Sequence, residues 1–249
     1  MNTKIYNYLL DVISKKGAGN FVLIDPDQKN HANIEDLVQA ANSSEVDALL
    51  VGGSLMMDSK NHDRVGQIKK IAEMPVIFFP GGVTQLNGHY DAMFFMSILS
   101  GRNPHYLIGE QAIAAPIVRD IGIETISMGY LLLDGGTTST VEFMSGTKPI
   151  PMDRPGITVA HALAAQYFGM KFIYLEAGSG AKFPVSVETI EAVHDQIEIP
   201  IIVGGGIKTA EQAEERVKAG ASFIVTGTIT ERTKNLAVMK EISDAIHRK

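Results

Sequence analysis

Ile201-Ile202-Val203-Gly204-Gly205-Gly206-Ile207 is an apolar run that stops in three consecutive glycines. Directly after it, Lys208-Thr209-Ala210-Glu211 reads as the opening of a helix, with Thr209 at the N-cap and good helix formers behind it. A buried strand therefore runs into a loop without side chains, and that loop into a helix. Such a loop lets backbone N–H groups approach and cradle an anion. A second junction of the same kind follows at Ile224-Val225-Thr226-Gly227-Thr228. A tight strand-to-helix turn alone would explain one glycine cluster, but not the pair.

The rest of the chain repeats the strand-to-helix rhythm. Apolar runs at Phe21–Ile24, Ala48–Val51, Val76–Phe79, Ala92–Ile98, Glu124–Tyr130 and Phe172–Leu175 precede the two glycine junctions, which makes eight strands. Helical spacing is read at about Ile5–Lys15, Asn33–Asn42, Asp63–Glu73, Pro104–Asp120 and Gly156–Phe168, and further helices alternate with the last strands. Alternation of this kind predicts a parallel sheet covered by helices. Eight strands with anion-type loops after the last two favour a closed (β/α)₈ barrel, and the 249 residues match the typical size of about 250 for one such domain spanning 1–249. One step in the rhythm is missing. The Gly-, Asn- and His-rich stretch between Phe79 and Ala92 is short for a parallel crossover, which needs about a dozen or more residues and is usually helical. The third helix is therefore expected to be reduced or replaced by a loop. Asp134–Pro155 is a polar connection too long for a turn, and such connections are usually functional or mobile.

Composition narrows the function. The net charge of −6, with no basic cluster, argues against nucleic acid. The absence of cysteine removes disulfides and thiolate chemistry, and fits a reducing compartment. The first residues lack a signal-peptide core, and the most apolar segment, Ala92–Leu99, is far below the roughly 20 residues of a membrane span. A cytoplasmic protein is expected, with peripheral membrane contact left open. The seven histidines are scattered without the spacing of a zinc site.

In a barrel, ligands meet the C-terminal ends of the strands. Those ends carry Asp25 and Asp27 after strand 1, Ser54 after strand 2, Glu176 after strand 6, and the glycine loops after strands 7 and 8. A carboxylate one strand away from an anion site could take a proton from a hydroxyl on a small phosphate ester. Tyr174 reads equally as a packed aromatic or a ligand contact, and Asp25 as a turn former before Pro26 or a functional acid.

The string Tyr174-Leu175-Glu176-Ala177-Gly178-Ser179-Gly180, the loops Val203–Ile207 and Val225–Thr228, and the early Ile24-Asp25-Pro26-Asp27 together resemble the geranylgeranylglyceryl phosphate synthase family, which includes bacterial heptaprenylglyceryl phosphate synthases. The resemblance spans essentially the whole chain, the short third crossover included. It implies a Mg²⁺-dependent prenyltransferase that joins sn-glycerol 1-phosphate to a polyprenyl diphosphate, here geranylgeranyl diphosphate, through an ether bond. It assigns Glu176 as the base and Asp25 and Ser54 to the metal. Glycerol phosphate contacts fall to Tyr174, Leu175, Ala177, Gly178, Ser179, Gly180, Gly204, Gly205, Gly227 and Thr228. Many relatives are expected to carry lysine directly after Asp-Pro-Asp, whereas here Gln28 precedes Lys29, which leaves the diphosphate partner open. The segment Gly88–Gly101, with Met93, Phe94, Phe95, Met96 and Ile98, would border an apolar groove where the third helix is missing. A homo-oligomer is expected, because apolar surface left by a reduced helix is often covered. The competing readings are another phosphate-binding barrel enzyme, an isomerase or a flavin-dependent oxidoreductase, and a phosphate-ligand sensor without catalysis.

Overall fold

The computed structural model describes residues 3–227 and 237–247. Its strands are β1 (Gly19–Ile24), β2 (Ala48–Val51), β3 (Val76–Phe78), β4 (Ala92–Ile98), β5 (Glu124–Leu132), β6 (Phe172–Glu176), β7 (Ile201–Gly204) and β8 (Phe223–Thr226). All pair in parallel in chain order, and β8 returns to β1 with Gly19 opposite Phe223, so the expected barrel is closed. The helices are α1 (Lys4–Lys16), α2 (Ile34–Ser43), α3 (Asn61–Ile71), α4 (Glu110–Ile121), α5 (Thr140–Ser145), α6 (Pro155–Tyr167), α7 (Val187–His194), α8 (Ala210–Lys218) and α9 (Ala237–Ile246).

The two-residue period of each strand sorts its side chains. Phe21, Phe94, Phe172 and Phe223 point into the barrel and pack together, with Phe21 and Phe223 stacked at 4.3 Å between ring centroids. Val22, Leu49, Ile173 and Val203 point outward, under the helices. α1 closes the N-terminal end by burying Ile5, Leu9 and Val12 against the interior aromatics. Its first free amides are met by the buried Glu124 carboxylate at the start of β5, at 2.8 Å from both Ile5 N and Tyr6 N. An acid there satisfies orphan donors and complements the helix dipole.

The third crossover holds only a 3₁₀ turn, Val83–Gln85, so no α-helix links β3 to β4 on the outside of the barrel. The next helix differs from its expected extent. A π-type turn at His105–Gly109 precedes α4, and side chains take up its loosened carbonyls. Ser97 Oγ donates to Leu107 O at 2.6 Å, and Gln111 Nε2 donates to Tyr106 O at 3.2 Å. The long connection after β5 is also partly helical. Ser139 caps α5 by accepting from Glu142 N, and Gly146 ends it in a left-handed conformation.

Candidate active site

A cavity of about 760 Å³ opens at the C-terminal ends of the strands. Glu176 ends β6 on its inward-facing row, beside Tyr174, and is only 8% exposed. Its Oε1 accepts from Gly178 N at 2.6 Å, and the Tyr174 hydroxyl donates to the same carboxylate. Burial nevertheless dominates and pushes the acid up to about 7, so it can exchange a proton near neutral pH. Burial, and then the Glu176 charge, hold the Tyr174 hydroxyl well above its ordinary range, so it remains a donor. Tyr130 stacks on Tyr174 with centroids 5.4 Å apart and 16° between planes, which fixes that ring.

The glycines of the β7 loop are dictated by this carboxylate. A Cβ on Gly204 would overlap the Tyr174 hydroxyl, and one on Gly205 would overlap Glu176 Oε1 and lie 2.7 Å from Gly178 N. Gly205 also takes a φ of +83°, in the left-handed region. Gly205, Gly206, Gly227, Ser179 and Gly180 all face the cavity with Glu176. Thr209 caps the following helix as its sequence predicts, accepting from Gln212 N at 3.2 Å.

Other positions sort differently. Leu175 and Ala177 lie on the outward row and are buried under the helices, so their side chains turn away from the cavity. The Gly178 amide is engaged by Glu176 rather than directed at a ligand. Thr228 lies outside the described residues. Residues that the sequence reading missed also face the cavity: Phe79, Tyr130, Val141, Met144 and Lys208. Lys208, two residues after the glycine run, is the one a sequence signal could have found.

On the opposite wall, Asp25 and Ser54 both face the cavity. Burial raises the Asp25 acid, and Lys29 opposes the shift with its Nζ 2.8 Å from Oδ2. The one-residue displacement of the lysine therefore still brings a cation to this end of the cavity. Asp27 also lines the cavity, and its Oδ1 holds the neighbouring loop by accepting from Met57 N at 3.0 Å. Among the described residues no three His, Cys, Asp or Glu side chains converge. The donors at Asp25 and Ser54 are hard oxygens, a set that suits a Mg²⁺ ion completed by water and substrate oxygens. Where the third helix is absent, the cavity passes from the mouth over the edge of β4. Met93 and Phe95 on its outer row and Met96 and Ile98 on its inner row line it, whereas Phe94 is sealed in the barrel interior.

Residues 11–246 match the PcrB family. The chain is 42% identical over 247 residues to the geranylgeranylglyceryl phosphate synthase of Chitinophaga pinensis, covering 99% of this chain and 97% of that one. It is 42% identical over 244 residues to the enzyme of the same name from Methanosphaera stadtmanae, covering 98% and 99%. A crystal structure of (S)-3-O-geranylgeranylglyceryl phosphate synthase from Thermoplasma acidophilum, in complex with substrate sn-glycerol-1-phosphate, superposes with a TM-score of 0.88 at 36% identity, covering 96% of this chain and 98% of that one. The resemblance read from the Tyr174–Gly180 string and the two glycine loops thus extends over the full barrel, and the chain belongs to the PcrB family.

Proposed function

We propose that this protein is a geranylgeranylglyceryl phosphate synthase, a prenyltransferase joining sn-glycerol 1-phosphate and geranylgeranyl diphosphate. The observation that carries the reading is Glu176, a buried acid titrating near 7 that faces the cavity against a side-chain-free loop. The glycerol C3 hydroxyl oxygen bonds to the allylic C1 of the prenyl chain, and the C1–O bond to diphosphate breaks. Glu176 takes the hydroxyl proton, since a neutral hydroxyl is a weak nucleophile. The Tyr174 hydroxyl holds the carboxylate in place. The amides of the β7 and β8 loops and Ser179 receive the ester phosphate, as small residues allow. The apolar path over β4 receives the prenyl chain.

Mg²⁺ dependence belongs to the same proposal. Asp25 and Ser54 would hold the ion, which when bound neutralises charge on the departing diphosphate. Three further elements are cytoplasmic residence, homo-oligomerisation and peripheral contact with a membrane. Exposed Ile113 and Ile117 on α4 support association, and exposed Met57 and Phe143 on the same end of the barrel as the cavity support membrane contact. No helix among the described residues is long and apolar enough to cross a membrane.

The test is incubation of labelled sn-glycerol 1-phosphate with geranylgeranyl diphosphate and Mg²⁺, with the label followed into organic solvent. The expected product is extractable, and it is lost on chelation and restored by added Mg²⁺. A fully folded enzyme that leaves all label in water would reject the reading.

A further inference from the structure

The 3₁₀ turn that stands in for the third helix delivers one polar side chain to the interior, Gln85, which is 4% exposed. Its Nε2 donates to Gly53 O at 2.7 Å, and its Oε1 accepts from Gly53 N at 3.4 Å. A single amide thus bonds both polar groups of one residue, as a neighbouring strand would. β3 itself can no longer do so. Its pairing with β2 ends at Phe78 opposite Val51, followed by one bond from Phe79 N to Val51 O at 3.0 Å. Gln85 extends the ladder by one rung beyond the strands. Gly81 passes so close that a Cβ there would overlap Gly53 O and lie 2.8 Å from Gln85 Nε2.

The residue held this way sits between the two assigned to the metal and diphosphate. Gly53 packs on the Asp25 carboxylate, where a Cβ would lie 2.6 Å from Oδ1, and it precedes Ser54. The far end of the loop is pinned separately. Met57 N donates to Asp27, and Arg64 forks onto Asp58 at 2.7 and 2.8 Å while also reaching Pro26 O at 3.3 Å. Gln85 does not reach the cavity surface, although Gly53, Gly81, Val83 and Leu86 around it do.

The geometry points to Gln85 as a positioning residue for the diphosphate half of the site, acting through the Gly53 peptide on Asp25 and Ser54. This rests on the diphosphate reading of that wall. The shortened crossover then has two consequences: it opens the flank, and it sets the loop that faces the departing group.

The test is titration calorimetry on the full chain with two probes, inorganic diphosphate with Mg²⁺ and sn-glycerol 1-phosphate alone. Gln85→Met keeps length and volume while removing both hydrogen bonds. It is expected to weaken diphosphate binding about 10-fold, the low end for losing a group that orients a ligating residue, with glycerol phosphate binding held within about twofold. Hydrogen exchange at the Gly53 amide is expected to accelerate in the same variant. Equal weakening of both probes, or unchanged diphosphate binding, overturns the inference alone. Absence of diphosphate binding to the unaltered protein overturns it together with the reading it rests on. If Gln85→Met does not fold, Gln85→Glu replaces it. Its carboxylate opposes Gly53 O, and the same selective loss is expected.

Discussion

Two carboxylates are buried at opposite ends of this barrel, and their surroundings drive them in opposite directions. Glu176, at the C-terminal end, receives only uncharged donors, the Gly178 amide and the Tyr174 hydroxyl, and burial lifts it to about 7. Asp47, at the N-terminal end, is 1% exposed, and burial alone would lift it too. Hydrogen bonds from His247 at 2.9 Å, Lys16 at 2.6 Å and the Asn20 amide at 2.8 Å outweigh that and hold it below the usual carboxylate range. Asp47 thereby joins α1, β1, β2 and the end of α9, while Glu176 is left able to exchange a proton. Burial alone does not make an acid reactive. The charge of its partners decides whether it fastens the fold or serves the chemistry.

Substitutions can break this contrast, and the largest effect is expected at Glu176. Glu176→Gln should lower kcat by about 10³, the scale of a lost general base, with glycerol phosphate binding largely kept. In the unaltered enzyme, kcat/KM should rise with pH to a plateau above about 7, because the base works deprotonated. A rate independent of pH between 5 and 8 would refute Glu176 as the base. Gly205→Ala comes next. Its left-handed φ and the overlap with Glu176 Oε1 should reduce kcat/KM by about 5- to 150-fold, equivalent to about 1–3 kcal/mol of strain.

At the other end, Asp47→Asn should leave kcat within about twofold while lowering stability by roughly 2–3 kcal/mol at pH 7, read as a drop in Tm. The folded acid is depressed, so its contribution is present at neutral pH and is lost as pH falls through the folded value. The smallest effect sharpens the comparison. Glu176 is raised from 4.5 to about 7, so its ionisation opposes folding increasingly as pH rises across that window. Glu176→Gln should therefore be more stable than the parent by on the order of 1 kcal/mol at pH 8, an advantage that vanishes near pH 4.5. Together these variants would show activity and stability exchanging places between the two ends.

Much of the scaffold was legible because strand and helix periods are local signals. Even the reduced third helix showed in the chain, since the stretch between Phe79 and Ala92 cannot hold a normal crossover. Glu176 was legible because it lies next to a glycine string. The period of two also implied that Leu175 and Ala177 face outward, although the family string alone groups them with the ligand contacts. α5 left a signal that went unread, since Ser139-Thr140-Val141-Glu142 has capping-box spacing. The bond between Gln85 and Gly53 left none, because it joins side chain to main chain 32 residues apart. The cluster around Asp47 is similarly opaque, with His247 lying 200 positions away.

The acid that seats the first turn of α1 has a bearing on how the molecule is made. Glu124 lies 119 positions beyond Ile5, so α1 emerges from the ribosome long before its anchor exists. Until β5 has been synthesised, its amphipathic face and its unmatched amides must wait in water. The helix that closes the floor of the barrel is thus made well before the strand that anchors it, and its final docking waits for β5.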